Sequence, residues 1–427
     1  MQTTQLNERN GHVVIVSIPR FGHVIPMLDL AKHLSSGCDV TFVVSQSILD
    51  KIKEMGLISH ENTTDRLEFI GLLDSRNDES KTSKLDDDID RMNVSLTELF
   101  STISVTSSSS LLFTRPITRP VHMIISDIFN PVPLRIAHER HIRTQIFMPC
   151  NFENLSRYIK IFLGELVVPM SQLFVANFLE AFTFADGIIC NSIAQLEKHA
   201  VDRYRQQSVI RSDLPIQFVA PLFPEIDNIQ KNDTTIRVEE WLDAQWQKSN
   251  GSPSVIYIAF GSIVSLTREK IAEINHSVAS HPYIWSLKSD DHKYLLPSTN
   301  DDVHLVLDWL PQRLVLSHPA VKLFISHGGW NSVLESMSAG KPMLILPMFG
   351  DQFLNGQRVN YEFGTGRVIQ DTNSNGEMNQ YLQELFDPFA SFQEKAREMQ
   401  MIVQHAREHP SQEDLNEIVN MIRRKEN

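Results

Sequence analysis

Cysteine is scarce. The chain has three, Cys38, Cys150 and Cys190. They are far apart, odd in number, and in no C-x-x-C pair. A disulfide scaffold and a cysteine-ligated zinc site are excluded, and a reducing compartment is expected. Positive charge is also short. Lys and Arg total 39 against 52 Asp and Glu, a formal net charge of −13. A surface of that sign repels polyanions, so neither nucleic acid nor an anionic membrane is expected as a general partner. No uncharged apolar run reaches the ~18 residues of a membrane span. The nearest, residues 166–179, is interrupted by Pro169, Ser171, Gln172 and Asn177. It reads as a buried helix or a pocket wall. The opening MQTTQLNERN is polar and has no apolar core of the secretory kind. There is no repeat of fixed period. G-x-G-x-x-G is missing from the first strand–helix turn, which removes a nicotinamide-dependent dehydrogenase.

What is present is ordinary globular material. The chain has 427 residues, 42% hydrophobic and 21% charged. At roughly 100–200 residues per domain, that is two domains or three. HVVIVSI (12–18) is a β-branched run suited to a strand buried on both faces. The turn PRFGH and the helical pattern IPMLDLAKHL follow, then a second strand, CDVTFVVS (38–45). A βαβ opening implies a parallel sheet and a right-handed crossover. VHMIISDIF (121–129), TQIFM (144–148) and GIICNS (187–192) continue the alternation. Residues 221–253 are rich in Pro, Asn and Gly, with a short helical piece at 238–247, and read as an interdomain linker. The pattern restarts at SVIYIAFGS (254–262). Helix 268–280, YIWSL, VHLVLDWL (303–310), VKLFISH (321–327), helix 331–340 and PMLILPM (342–348) follow. Two acidic or serine-rich patches, 86–88 and 107–110, read as solvated loop or helix ends. The expected class is therefore α/β, with two doubly wound sheets and a cleft between them. Ligands in such sheets lie beyond the carboxyl ends of the strands.

The densest chemistry lies at 309–352, WLPQRLVLSHPAVKLFISHGGWNSVLESMSAGKPMLILPMFGDQ. ISHGGWNS joins a strand end to a helix start. Gly328 and Gly329 allow a tight turn and close approach to a ligand. Asn331 and Ser332 sit where free N–H groups and the helix dipole favour an anion, and His327 adds a donor. That is a phosphate site built without lysine. Glu335, one turn on, suits a ribose diol. Trp309 offers a flat face to a base and Gln312 an amide to its edge. Asp351 and Gln352 can accept from and donate to neighbouring sugar hydroxyls.

This box resembles the signature of the family 1 UDP-dependent glycosyltransferases, especially the plant secondary-product type. The matching elements are W-x-P-Q, L-S-H-P-A-V, F-x-S-H-G-G-W-N-S, L-E-S, G-x-P and D-Q. FGHVIPMLDLAKHL, SDIF, ICNSIAQLE, WLD and VIYIAFGS extend the likeness over most of the chain. The resemblance implies the GT-B fold, two Rossmann-like domains facing across a cleft. Its expected boundaries are an acceptor domain at 1–225, a linker with a short helix at 226–252 and a UDP-sugar domain at 253–407. A C-terminal helix at 408–427 would pack back on the first domain.

The family's roles then fall on matching positions. Trp309 would stack on uracil, with the Leu310 backbone and Gln312 reading its edges. Glu335 would hold the ribose. His327, Gly329, Asn331, Ser332 and Ser262 would bind the pyrophosphate. Trp330, Asp351 and Gln352 would hold the sugar, although Trp330 could equally pack beneath the loop. His23 would be the general base and Asp127 its orienter, a His–Asp pair with the acceptor hydroxyl in place of a serine. Phe21, Phe129, Phe152 and parts of 158–184 would line an apolar acceptor pocket. Cys150 reads as a small buried residue. No metal site and no cofactor are expected, UDP-glucose being a co-substrate.

The box also departs from the plant pattern. Gly-Gly stands where plant members usually carry a cysteine, and H-G-G is common in animal and microbial relatives, so lineage stays open. The signal peptide and C-terminal anchor of the animal reticulum enzymes are not seen. A cytoplasmic monomer with no membrane span is expected. The closing Gln resembles glucose-preferring members. The reading is an inverting transfer of glucose from UDP-glucose to a small lipophilic hydroxyl acceptor, giving a β-glucoside. UDP-N-acetylglucosamine as donor, or a non-catalytic nucleotide-sugar binder, are the alternatives. The presence of both His23 and Asp127 speaks against the second.

Overall fold

The structure is a computed structural model describing residues 11–58, 64–73, 85–103, 112–166, 172–223, 232–261, 264–295, 302–370, 376–387 and 390–423. The serine-rich patch at 107–110 lies outside the described residues, as do residues 74–84 and 167–171. The chain packs as two units, Met1–Pro224 with Ala406–Asn427, and Glu225–His405.

The first unit holds seven parallel strands: β1 (His12–Val16), β2 (Asp39–Ser45), β3 (Leu67–Leu72), β4 (Met123–Asp127), β5 (Arg143–Met148), β6 (Ile188–Cys190) and β7 (Ile216–Phe218). Their order is β3-β2-β1-β4-β5-β6-β7. Every residue of β1 is buried, which is why the run is continuously apolar rather than alternating. Strand period two divides it between two cores. Val13 and Ile15 join one with Met27, Leu30 and Leu34 of the helix Phe21–Ser35. Val14 and Val16 join the other with Leu96 and Leu99 of the helix Leu85–Ser101.

The helix Pro410–Arg423 completes the first of these cores through Leu415, Ile418 and Ile422. Polar bonds fix its register. Asp414 accepts from the Phe218 N–H at 2.7 Å, and the Ser411 hydroxyl donates to the Ala220 carbonyl at 2.7 Å. Arg143 donates to the Met421 carbonyl at 2.9 Å, and Arg423 Nε to that of Gly37 at 2.9 Å.

The second unit has six parallel strands: β8 (Val255–Ala259), β9 (Tyr283–Ser286), β10 (His304–Leu307), β11 (Val321–Ser326), β12 (Met343–Ile345) and β13 (Gly366–Val368). Their order is β10-β9-β8-β11-β12-β13. Ile256, Ile258, Trp285 and Ile325 pack with Ile271, Ile274 and Leu382 from the helices Arg268–Val278 and Glu377–Phe386. The linker helix is longer than its apolar pattern indicates and spans Asp233–Lys248. A capping box explains its early start. Asn232 Oδ1 accepts from the Thr235 N–H, and Thr235 Oγ1 accepts from the Asn232 N–H, each at 2.9 Å. Such caps contribute ~1 kcal/mol and set the first turn independently of apolar spacing. Among the described residues, no helix is long and apolar enough to cross a membrane.

In both sheets the strand order reverses once, between β1 and β4 and between β8 and β11. Neighbouring connections leave in opposite directions there and open a crevice at the strand ends.

Candidate active site

The first reversal carries an acid–base pair. His23 lies in the first turn of the helix Phe21–Ser35, just after the turn that leaves β1, and Asp127 is the last residue of β4. His23 Nδ1 and Asp127 Oδ2 are 2.6 Å apart. Asp127 is fully buried, and its Oδ1 accepts from the Phe129 N–H at 3.0 Å. Both carboxylate oxygens are engaged, which offsets the cost of burying the charge. With Nδ1–H donating to Asp127, the lone pair sits on Nε2. Nε2 has no protein partner among the described residues. The His23 side chain keeps 21% of its surface exposed, against 0% for Asp127. The pair is therefore a buried orienter behind an accessible imidazole.

Aromatic rings run away from that imidazole. Phe129 lies 5.9 Å from the His23 ring and meets Tyr158 edge-on at 5.5 Å. Tyr158 lies 5.2 Å from Phe178, and Phe178 is 5.3 Å from Phe182. Phe21 is half-buried and packs on the sheet core. Phe152 requires a correction. It is fully buried and meets Tyr204 and Phe218 edge-on at 5.3 and 6.0 Å. It is a core ring and not a pocket wall.

Tyr158 is presented by the helix Glu153–Phe162. A buried carboxylate fixes that helix. Glu197 accepts from the Ser192 hydroxyl at 2.5 Å and from the Glu153 N–H at 3.2 Å. This explains the Ser192 and Glu197 positions of ICNSIAQLE without any ligand contact.

The second reversal is built differently. Gly261 follows β8, and His327, Gly328 and Gly329 follow β11. A Cβ on Gly329 would lie 2.6 Å from His327 Nε2, and one on Gly261 3.1 Å from its Cε1. Two missing side chains thus make room for one imidazole. Gly328 has φ +83°, and a Cβ there would lie 2.6 Å from Ile345. Only glycine suits this turn. Burial lowers the His327 pKa to about 4, so it is a neutral donor rather than a cation. The helix Trp330–Ser338 starts here with no side-chain cap. Its first-turn N–H groups are the kind that bind an anion. Asn331 and Ser332 stand in that turn.

Glu335 lies on the next turn. Burial raises its pKa to about 7, against the opposing pull of the Gln312 amide and the Arg313 charge. Gln312 Nε2 donates to Glu335 and, at 3.1 Å, to Ser332 Oγ. Gln312 Oε1 accepts from the Tyr257 hydroxyl at 3.2 Å. Both N–H groups of Gln312 are therefore spent on the carboxylate and the serine. The amide nitrogen therefore faces Glu335 and Ser332, and its oxygen keeps a second lone pair for a base edge. Trp309 is 45% exposed, an available ring, whereas Leu310 is buried.

Trp330 takes the second of its two expected places. It is 3% exposed, and Arg358 covers its ring at 5.6 Å. Arg358 is held in turn by Glu362 through bonds of 2.8 and 2.9 Å. The indole packs beneath the loop. Gln352 is buried, and its Oε1 accepts from the N–H groups of Met348 and Phe349 at 2.8 and 3.0 Å. Outward, its amide can only donate. Asp351 beside it accepts from Asn355 Nδ2 at 2.9 Å. Ser262 lies outside the described residues. Sequence reasoning missed Tyr257, Asn355 and Arg358. Asn355 alone carried a readable signal, its i+4 spacing from Asp351 in DQFLN.

The family model described as UDP-glucoronosyl and UDP-glucosyl transferase matches residues 138–410. Flavonol 7-O-beta-glucosyltransferase UGT74F1 of Arabidopsis thaliana is 24% identical over 412 residues, 87% of each chain. Limonoid UDP-glucosyltransferase of Citrus unshiu is 24% identical over 404 residues, 83% of this chain and 76% of that one. The crystal structure of Medicago truncatula UGT71G1 complexed with UDP-glucose is similar at TM-score 0.76 and 20% identity, covering 98% of this chain and 99% of that one. The shared fold is GT-B, with two Rossmann-like domains. The chain belongs to the UDP-glucoronosyl and UDP-glucosyl transferase family, the family 1 glycosyltransferases of plant type, and is a UDP-glycosyltransferase.

Proposed function

We propose that the enzyme transfers glucose from UDP-glucose to a hydroxyl of a small lipophilic acceptor with inversion, giving a β-glucoside. The observation that carries this reading is the 2.6 Å contact between His23 and the buried Asp127. His23 Nε2 takes the proton of the acceptor hydroxyl as that oxygen attacks the anomeric carbon. Asp127 holds the ring in the tautomer that leaves Nε2 unprotonated and stabilises the imidazolium that forms. The bond from anomeric carbon to phosphate oxygen breaks on the opposite face, and UDP leaves with the electron pair.

In this reading the second unit holds the donor. Trp309 stacks on uracil and the Leu310 backbone meets its edge. Glu335, held by Gln312, takes the ribose hydroxyls. The amides at Gly329 and Trp330, with His327, Asn331, Ser332 and Ser262, meet the charge that grows on the pyrophosphate. Asp351 accepts from the sugar and Gln352 donates to it. No cofactor is required beyond UDP-glucose as co-substrate, and the enzyme acts as a cytoplasmic monomer. The acceptor class rests on the partly buried Tyr158, which Phe129 and Phe178 back as buried rings. Relatives named for a flavonol and a limonoid support the same class.

The test is incubation with UDP-glucose and a panel of flavonoids, simple phenols, sterols and macrolides, with mass spectrometry for hexose adducts. His23→Ala is run in parallel. Adducts that fall roughly a thousandfold in the variant while UDP still binds support the reading. Adducts formed at an unchanged rate remove His23 as base. Competition by UDP-N-acetylglucosamine tests the sugar, and the anomeric proton coupling of the product tests inversion.

A further inference from the structure

We infer that Asn355 is a positioning residue that ties the sugar-side carboxylate Asp351 to the phosphate-side turn at Gly328. The inference rests on the assignment of Asp351 to the sugar. Asn355 is fully buried, and one nitrogen serves both elements. Nδ2 donates to the Gly328 carbonyl at 2.9 Å and to Asp351 Oδ2 at 2.9 Å. Gly328 sits in a tight turn at φ +83° against Ile345, which fills the space a Cβ would need, at 2.6 Å. Asp351 stands at the N-cap of the short helix Gln352–Gln357 and is partly buried. Asn355 Nδ2 holds its Oδ2.

The chemistry needs an amide at this position. A neutral NH₂ group presents two N–H bonds from one atom, to a carbonyl and to a carboxylate, without burying a charge. At full burial, water cannot replace a lost donor. An aspartate would be isosteric but could not donate, and it would set a second carboxylate beside the first. A sugar hydroxyl gains from Asp351 only if its oxygens are already aimed, since placement within about half an ångström decides such contacts. Asn355 thereby makes the sugar contact depend on the same turn that holds the diphosphate.

A double-mutant cycle tests this, read as kcat/KM for UDP-glucose and as UDP affinity by calorimetry. Asp351→Ala is expected to lower kcat/KM about a hundredfold and Asn355→Ala about tenfold, the scale of hydrogen bonds to a charged group. The double variant is expected to match Asp351→Ala within about twofold, since Asn355 acts through Asp351. UDP affinity stays within about twofold throughout, because UDP has no sugar for Asp351 to hold. Asn355→Asp is expected to lose more than Asn355→Ala. Losses that multiply, to about a thousandfold, overturn the inference. So does an Asn355→Ala enzyme whose UDP affinity falls as far as its kcat/KM. If Asp351→Ala leaves kcat/KM unchanged, the assignment of Asp351 to the sugar fails first and the inference falls with it. Asn355→Ser carries the same cycle should the alanine variant not fold.

Discussion

The two reversal points share a topology and hold opposite chemistry. Around the first, between β1 and β4, a buried carboxylate backs one imidazole and the surroundings are rings. Around the second, between β8 and β11, glycines clear space for donors and a neutral imidazole. Both imidazoles follow a strand that borders its reversal, yet their partners differ. His23 is bonded to a carboxylate, and burial alone dominates His327, lowering its pKa to about 4. Strand order decides where a site can form, and the residue types placed there decide what it does.

The comparison can be broken most severely at its first half. Asp127→Asn keeps the shape but removes the carboxylate that orients His23. Its kcat is expected to fall roughly a thousandfold while calorimetry shows unchanged UDP affinity. A fall in UDP affinity of similar size would mean that the first reversal also holds the donor.

Gly329→Ala breaks the second half. Its Cβ would lie 2.6 Å from His327 Nε2. UDP affinity is expected to weaken about tenfold, the scale of moderate overpacking, with His23 chemistry intact in single-turnover measurements at saturating donor.

A pH series sharpens the same half. Glu335 has its pKa raised to about 7 by burial. It accepts fully from ribose only when ionised, so UDP affinity is expected to weaken severalfold as pH falls from 8 to 6. Folding stability moves the other way. The folded state holds this proton more tightly than the unfolded chain does. Its contribution is full below the ordinary carboxyl value of 4.5 and is lost as pH rises through about 7. Glu335→Gln should flatten both trends, and a UDP titration that keeps its slope in that variant would place the titrating group elsewhere.

The smallest effect is at the ring series. Tyr158→Ala is expected to raise KM for an aromatic acceptor about fivefold, by loss of ring contact, and to leave KM for UDP-glucose unchanged. A change confined to the donor would show that the rings do not meet the acceptor.

Sequence patterns found the inner strands and one edge, β10, and missed the other three edges. β1, β2, β4 and β5 are apolar runs because helices cover both faces. β3, β7 and β13 went unseen, and each is a sheet edge. β7 and β13 have three residues apiece, and β13 carries Arg367. Such short segments become strands by pairing with a neighbour already in place. Resemblance supplied His23 and Asp127, and the strand-to-helix turn pattern supplied the box glycines; the structure places them at the two reversals. Trp330 stayed open and Phe152 was misplaced for another reason. An aromatic ring has the same letter whether it meets a ligand or a core, and only burial separates the two. Gln312 and Asn355 show the limit for amides, whose meaning lies in which way they point.

The helix Pro410–Arg423 has a consequence for biosynthesis. It supplies Leu415, Ile418 and Ile422 to the core beneath β1. A growing chain exposes β1 first, but this part of its core is missing until residues 410–423 leave the ribosome. All of Glu225–His405 must be translated in between, a delay of about ten to forty seconds at usual elongation rates. During that interval the nascent first unit presents an uncovered apolar groove, where a chaperone would act. A chimera that exchanges first units between relatives must therefore bring this helix along with them.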